Sequence, residues 1–235
     1  MTKSMFNLSF LYLSIISTAS AERNPQPPIF IGSTHLIITN ASIIAAGTQR
    51  GVEIYNPSGS GRGSIHLDDS DIITELGDGI YLLSGDAILK NVTVTTNDGK
   101  GINVNNFSSA SLINSSIRTK NNRADGMWLA SGGTLSAIDA SNITTMGDMS
   151  HALNAQYGKA TVNDSVLSTS GSGSYGLYSE NEVSGSGNTI TTQGTQWHWR
   201  ICRARRGDLI NEHHDYHCRR WRGRTAGLSR LNHQG

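Results

Sequence analysis

One strand-like stretch recurs along this chain at a nearly constant interval. It reads Gly126-Met127-Trp128-Leu129-Ala130-Ser131-Gly132, and related versions begin at Gly79, Gly101 and Gly176. His151-Ala152-Leu153-Asn154 is assigned to the remaining slot, without the glycine, so that successive starts differ by 22, 25, 25 and 25 residues. A fixed period of this length indicates a repeat architecture, in which each unit stacks on its neighbours.

Two further lines of apolar residues keep the same period. Each period therefore holds three short runs rich in Val, Ile, Thr and Tyr, which favours strands, and Asp-Gly or Ser-Gly pairs between them mark turns. No run has the i, i+3, i+4 spacing of a helix. The first line is Ile72, Val94, Ile117, Ile143, Val166 and Ile190, and the second is Leu89, Leu112, Ile138 and Val162.

Three strands in each period predict an all-β chain that forms a right-handed parallel β-helix. Its coils of about 24 residues would stack about 4.8 Å apart, with equivalent inward residues above one another. Composition alone would suggest disorder, because only 36% of the residues are hydrophobic and 26 are glycine. The periodicity argues against disorder, since a β-helix holds a thin core inside a polar shell.

Four regions follow from the pattern along the chain. Residues 1–21 predict a signal peptide, with one charge at Lys3, an apolar run and the small-residue sequence Ala19-Ser20-Ala21. The alternative for this run is a buried first strand. Residues 22–34 hold three prolines and predict an extended lead-in. The β-helix is predicted over 35–195, with a turn insertion at 56–63.

Residues 196–235 depart from everything before them. Residues 1–195 carry 10 Lys and Arg against 15 Asp and Glu, a balance of −5, whereas the tail carries 9 Arg against 3 acids, a balance of +6. A shift of one nucleotide lets the codons of 196–203 encode a run that ends in Gly-Val-Tyr-Ala-Glu, close to Gly176-Leu177-Tyr178-Ser179-Glu180. We therefore expect an irregular or disordered tail that is a frameshift product, as in a pseudogene.

Acidic residues are the first candidates for chemistry. Asp68, Asp69 and Asp71 form the densest cluster outside the tail, and converging acids can hold a cation or act as general acid and base. No equivalent acids follow at the same phase, so a catalytic cluster is not expected. Three other acids adjoin turn glycines, where Asp typically bonds its own backbone: Asp78, Asp98 and Asp125.

Histidines and asparagines give no stronger signal in the repeat region. It has three histidines, His35, His66 and His151, without a Gly-Asp-Ser-Gly run or the glycine-rich calcium nonapeptide. A stacked amide ladder with a structural role is predicted at one turn. Its members would be Asn91, Asn114 and Asn163.

The tail contains three apparent motifs, all of which a frameshift would explain. Its Arg and Trp residues suggest nucleic acid, and Arg206-Gly207-Asp208 resembles an integrin-recognition tripeptide. The metal-ligand types are Cys202, His213, His214, His217 and Cys218. We expect no catalytic, cofactor-binding or metal-binding residue in this chain.

Residues 35–195 resemble the passenger region of autotransporter proteins of Gram-negative bacteria, the pertactin-like and self-associating adhesin group. The resemblance rests on the G-[I/M/L]-[Y/W] strand, the turn Ser131-Gly132-Gly133 and the x-T-[I/V]-T-T strand. It implies export to the periplasm and display at the outer membrane. The absence of cysteine from 1–195 fits such a passenger. The family normally adds a folding-assist segment and a membrane β-barrel, so we expect a truncated passenger that does not function on its own.

The predicted function is adhesion or self-association at the cell surface, without enzymatic activity. The expected partners are a host-cell surface or sibling passengers, reached in part through the exposed end of the β-helix. Neither nucleic-acid binding nor a membrane span is expected. One alternative is a β-helix polysaccharide lyase or hydrolase, which needs Asp68, Asp69 or Asp71 to meet a basic residue and another acid in one groove. The other is a secreted stem with a metal- or nucleic-acid-binding tail.

Overall fold

The chain winds as a solenoid of parallel strands. A computed structural model describes residues 28–56, 61–131 and 134–194, together with the strand backbones at 5–8, 13–17, 198–202 and 216–218. The solenoid makes about seven turns of about 24 residues, which confirms the predicted all-β parallel β-helix. Over the described residues no helix is long and apolar enough to cross a membrane.

Each coil contributes one strand to each of three sheets. Sheet A contains β1 (Met5–Leu8), β4 (His35–Thr39), β7 (Gly63–Asp68), β10 (Gly85–Lys90), β13 (Ser109–Ile113), β16 (Leu135–Asp139), β19 (Lys159–Asn163), β22 (Val183–Gly185) and β25 (Tyr216–Cys218). Sheet B contains β2 (Leu13–Ser17), β5 (Ala41–Ala45), β8 (Asp71–Thr74), β11 (Thr93–Thr96), β14 (Ser116–Thr119), β17 (Asn142–Thr145), β20 (Val166–Thr169) and β23 (Thr189–Thr192). Sheet C contains β3 (Ile29–Ile31), β6 (Val52–Tyr55), β9 (Ile80–Leu83), β12 (Ile102–Asn105), β15 (Met127–Leu129), β18 (Leu153–Ala155), β21 (Tyr175–Ser179) and β24 (His198–Cys202).

The core consists of aliphatic columns that run along the solenoid. Alternate side chains of a strand point to opposite faces, so residues of equal phase stack inside. The predicted line Leu89, Leu112, Ile138 and Val162 is confirmed, since these residues pair in register and are buried. Each buried Leu or Ile stabilises the fold by about 1.5–3 kcal/mol. Repeated coil after coil, this burial offsets the cost of ordering a polar chain.

Two predicted positions were wrong by one residue. Leu167, not Val166, pairs with Ile143 and Ile190 and is buried, whereas Val166 is 38% exposed. A shift of one residue turns a strand's side chains to the opposite face.

The same error affects the recurring glycine. Leu153 pairs with Met127 and Leu177, so Ala152 rather than His151 takes the glycine position in that coil.

Close contact between neighbouring sheets explains the recurring glycine and its single exception. A Cβ at Gly126 would lie 2.2 Å from Cγ2 of Ile143 and 2.6 Å from the carbonyl oxygen of Ala152. The corresponding Cβ at Gly51, Gly79 or Gly101 would likewise meet a β-branched side chain at 2.2–2.4 Å. In the coil with Ala152, the facing residue is Leu167, which carries no branch at Cβ. Alanine therefore replaces glycine where the β-branch is missing.

Buried serines join one coil to the next. The hydroxyl of Ser115 accepts a hydrogen bond from the backbone N–H of Val92 (3.1 Å), and that of Ser141 accepts one from Ser115 N–H (3.0 Å). Ser165 repeats the contact with Ser141 N–H at 3.0 Å. These bonds satisfy buried amides at the turn between sheets A and B, where no strand partner is present.

The residue before each serine position has a left-handed backbone conformation. Where this residue is Asn, its side chain forms part of the predicted amide ladder. Asn114 Nδ2 donates to Asn91 Oδ1 (2.8 Å), and Asn91 Nδ2 donates to Asp69 Oδ1 (2.9 Å). Asn163 is not a member, because Asp164 has the equivalent left-handed backbone, with φ of 46°. Asn and Asp favour this turn since they tolerate positive φ better than other side chains.

Both ends of the described chain extend the stack. β3 lies within the predicted lead-in and pairs with β6, and the backbones of β1 and β2 pair with β4 and β5. At the other end, β24 pairs with β21 in a register that sets Arg200 beside Leu177. The paired residues are 23 positions apart, close to the length of one coil.

Candidate functional site: an aromatic face on sheet C

Among the residues whose side chains the structure describes, the aromatic ones are confined to one side of the solenoid. In the described ranges 28–56, 61–131 and 134–194, all eight Phe, Tyr and Trp residues lie in sheet C or in the turn that follows it. None of them belongs to the buried core. Aromatic side chains normally supply much of a core, so their placement outside it points to a surface that contacts something else. We call this surface the aromatic face: Phe30, Tyr55, Tyr81, Phe107, Trp128, Tyr157, Tyr175 and Tyr178.

The repeat explains why the rings point outward. In the stretches Gly79-Ile80-Tyr81 and Gly126-Met127-Trp128, the residue after glycine points inward and is buried. The aromatic residue that follows therefore points outward and is half-buried. The G-[I/M/L]-[Y/W] pattern thus predicts an outward aromatic residue in addition to the fold and the family resemblance.

Two rows of outward residues run along sheet C parallel to the solenoid axis. Members of the second row occupy one register position of the strands. Members of the first row precede the glycine position, and from Asp78 onward their carbonyls accept bonds from the coil before. The first row is Arg50, Asp78, Lys100, Asp125, His151 and Tyr175, and the second row is Glu53, Tyr81, Asn103, Trp128, Asn154 and Tyr178.

Cations of the first row pack against rings of the second row in the next coil. The guanidinium carbon of Arg50 lies 3.7 Å from the centre of the Tyr81 ring, and Lys100 Nζ lies 4.5 Å from that of Trp128. Arg50 also forms an ion pair of 2.7 Å with Glu53. Cation–π contacts at partly exposed sites contribute about 0.5–1 kcal/mol each. They fix the rings in position on the surface.

Acids of the first row bond amides of the next coil. Asp78 accepts hydrogen bonds from the backbone N–H of Lys100 (2.8 Å) and from Asn103 Nδ2 (2.9 Å). Asp125 repeats this geometry with His151 N–H (2.8 Å) and Asn154 Nδ2 (3.0 Å). The expectation that these acids bond their own turns was wrong, since each one joins two coils.

The two kinds of contact alternate along the axis. The order is Arg50 on Tyr81, Asp78 with Asn103, Lys100 on Trp128 and Asp125 with Asn154. The pattern therefore repeats every two coils, a distance of about 9.6 Å at the usual spacing of strands.

A cluster of three rings continues the pattern. The ring of His151 lies 4.9 Å from that of Tyr175 and 5.4 Å from that of Tyr178, with the latter pair stacked. The backbone N–H of Tyr175 donates to His151 Nδ1 (3.1 Å), which requires that nitrogen to be unprotonated. The hydroxyl of Tyr178 donates to Glu180 (2.7 Å). A neutral histidine thus takes the place that a cation holds in the coils before.

Burial shifts the pKa values of two residues on this face. It raises the pKa of Asp125 from 3.8 to about 6, although the bonds from His151 and Asn154 act in the opposite direction. It lowers the pKa of His151 from 6.5 to about 4. A raised carboxyl pKa is typical of a general acid. However, Asp125 is only 6% exposed and both of its oxygens accept bonds from the protein, so it does not present an acid to a substrate.

The acidic cluster singled out in the sequence lies elsewhere. Asp68 and Asp69 stand at the turn between sheets A and B, and Asn91 Nδ2 donates to both, at 3.4 and 2.9 Å. Lys90 Nζ lies 3.8 Å from Asp68. Asp71 begins β8 on sheet B. Asp68 therefore contacts a basic residue at this turn. Its contacts with Lys90 and Asn91 link one coil to the next, as the amide ladder does.

The remaining candidates do not assemble a metal site in the part of the chain that the structure describes. His35 Nδ1 bonds the hydroxyl of Ser64 (2.6 Å), and Asp98 accepts a bond from Asn121 (2.9 Å). The tail candidates lie outside the residues whose side chains are described: Cys202, Arg206-Gly207-Asp208, His213, His214, His217 and Cys218.

Sheet A carries a different kind of surface. A shallow groove of about 430 Å³ runs across β13, β16 and β19, between small side chains such as Ser111, Ala137 and Thr161. Lys159 and Glu182 form an ion pair of 3.0 Å at its edge. The groove has no aromatic lining, so it offers less contact energy per residue than the aromatic face.

Comparisons of the chain with protein-family models, with curated proteins and with solved structures find no match. Function therefore has to be inferred from the surface itself.

Proposed function

We propose that this protein is a non-catalytic adhesin of the autotransporter-passenger type, exported to the cell surface, and that it adheres through the aromatic face. The observation that carries the proposal is the confinement of all eight described aromatic residues to one side, outside the core. Tyr, Trp and Arg are the residues that most often dominate binding energy at protein surfaces. On sheet C they stand in two neighbouring rows that span several coils.

The solenoid suits adhesion for a mechanical reason as well. Each coil is bonded to the next by strand pairing and by side-chain ladders, so the outward residues keep fixed positions along the rod. A fixed surface loses little conformational entropy when it binds. Weak contacts repeated along a rigid rod then add up to strong attachment.

The proposal is tested with beads that carry the purified full chain. The triple variant Phe107→Asn, Tyr157→Ser and Tyr178→Ser removes ring surface, and Asn suits the left-handed φ of 57° at residue 107. A matched control, Thr93→Ala, Thr144→Ala and Thr191→Ala, removes outward side chains of sheet B. Adhesion of the beads to cultured animal cells, or to one another, should fall at least about tenfold for the first variant only.

Clumping of beads without binding to cells would identify sibling molecules as the partner, and the reverse would identify a host surface. Both outcomes support adhesion through this face. Undiminished adhesion of the aromatic variant, with circular dichroism unchanged, would refute it.

A further inference from the structure

The alternation on sheet C carries an inference about the ligand, which rests on the proposed adhesive function. The second row places Tyr81, Trp128 and Tyr178 two coils apart, with Asn103 and Asn154 between them. Ring positions therefore recur about every 9.6 Å along a straight line. A globular protein surface has no such translational repeat, whereas a linear polymer or a second solenoid does.

Extended β-linked glycans have a repeat that matches this one. Successive sugars in such a chain are turned over, so that every second sugar presents the same face, and the repeat is one disaccharide. A sugar ring has an apolar C–H face, which packs on aromatic rings, and hydroxyl groups at its rim. We propose that sheet C binds a neutral, extended β-linked polysaccharide lying parallel to the solenoid axis, with every second sugar at Tyr81, Trp128 and Tyr178.

The polar groups beside the rings suit the hydroxyls of such a chain. Arg50 and Lys100 place hydrogen-bond donors directly next to the rings of Tyr81 and Trp128. Between the rings, the half-buried Asp78 places a carboxylate near one intervening sugar, whereas Asn103, Asp125 and Asn154 are buried and bonded within the protein and space the rings apart. All these groups are held by contacts with the next coil before any ligand arrives, which lowers the entropy cost of binding.

Charge on the two rows selects against an acidic glycan. Arg50 is paired with Glu53 at 2.7 Å, and the acids Asp78 and Asp125 flank Lys100 in the first row. His151 is neutral at pH 7, since its pKa is about 4. The rows therefore hold no surplus of positive charge to attract carboxylate-bearing sugars.

The experiment is calorimetric titration of the full chain with β-linked glucose and N-acetylglucosamine oligomers. Affinity should rise from the disaccharide to the tetrasaccharide and again to the hexasaccharide, because each added disaccharide reaches another ring. Trp128→Ala should weaken hexasaccharide binding about tenfold or more and remove one step of the length dependence. Trp128→Phe should keep most of the affinity, and Thr144→Ala, on the outward side of sheet B, should keep all of it.

Tyr81→Phe guards against a loss that comes only from misfolding, since it keeps the ring and the packing. It should leave the length dependence intact. Equal affinity for disaccharide and hexasaccharide, or preference for an acidic oligomer of the same length, would overturn the inference. If aromatic variants abolish bead adhesion while no oligomer binds or competes, the glycan assignment fails and the adhesive function stands. If oligomers bind but bead adhesion ignores the aromatic face, the adhesive function fails.

Discussion

Gly126→Ala tests the close packing between neighbouring sheets. The new Cβ would lie 2.2 Å from Cγ2 of Ile143, whereas carbon atoms in favourable contact are about 3.5–4.0 Å apart. It would also lie 2.6 Å from the carbonyl oxygen of Ala152 in the next coil. Relief requires Ile143 to leave its rotamer and the backbone to shift. We expect the free energy of unfolding to fall by about 2–3 kcal/mol.

The chain itself supplies the rescue. Where alanine occupies the glycine position, at Ala152, the facing residue is Leu167. Ile143→Leu alone should cost less than about 1.5 kcal/mol, because the volume is conserved. Combined with Gly126→Ala, it removes the β-branch that the new methyl group meets. The double variant should therefore be more stable than the sum of the single changes by about 1–2 kcal/mol.

Urea unfolding followed by far-UV circular dichroism measures all four corners of this cycle. The unfolding free energy must depend on urea concentration with the same slope in all four proteins. A changed slope would mean that some coils of the solenoid unfold separately. Ile117→Leu, one coil away, serves as the control and should combine additively with Gly126→Ala. Additivity within about 0.5 kcal/mol for the Ile143 pair would show that the β-branch does not explain the glycine.

Five further predictions concern pH, a turn and the two ends of the chain. Because His151 titrates at about 4 when folded and at 6.5 when unfolded, its contribution to stability falls by up to about 3 kcal/mol between pH 6.5 and pH 4, and urea titrations should show this fall as the difference between the wild type and His151→Gln. Asp125 has the opposite sign: its folded pKa of about 6 exceeds the unfolded 3.8, so acidification stabilises the fold by up to about 3 kcal/mol, and Asp125→Asn should remove that gain. Ala140→Asn should raise the unfolding free energy by about 1 kcal/mol, because residue 140 has a left-handed φ of 45° and Asn would extend the amide ladder; no gain would mean that the position is not strained. N-terminal sequencing of periplasmic material should begin at Glu22, and a retained initiator methionine would contradict export. In the gene, the +1 frame after residue 195 should continue the repeat, and if it does not, the tail is genuine and should be assayed for zinc and nucleic acid.

Much of the fold could be read from local patterns. Alternation of Ile, Val and Leu with polar residues predicts strands, and the spacing of Leu89, Leu112 and Ile138 predicts their stacking. These inferences succeed because the inward position of a strand selects residue type directly. They failed where turns differ in length, since the phase of a two-residue alternation is lost at each turn. Val166 and His151 were misplaced for that reason.

The amino-acid sequence by itself determined that the chain is a β-solenoid with aliphatic columns and glycine-marked coils. Only the tertiary structure decided which residues meet across coils. The pairs Arg50–Tyr81, Lys100–Trp128 and Asp125–Asn154 lie far apart in the chain and follow no local periodicity. These contacts depend on the length of each whole coil, because that length decides which second-row residue lies beside a given first-row residue of the coil before. The aromatic face is therefore a property of the stack, and no single repeat contains it.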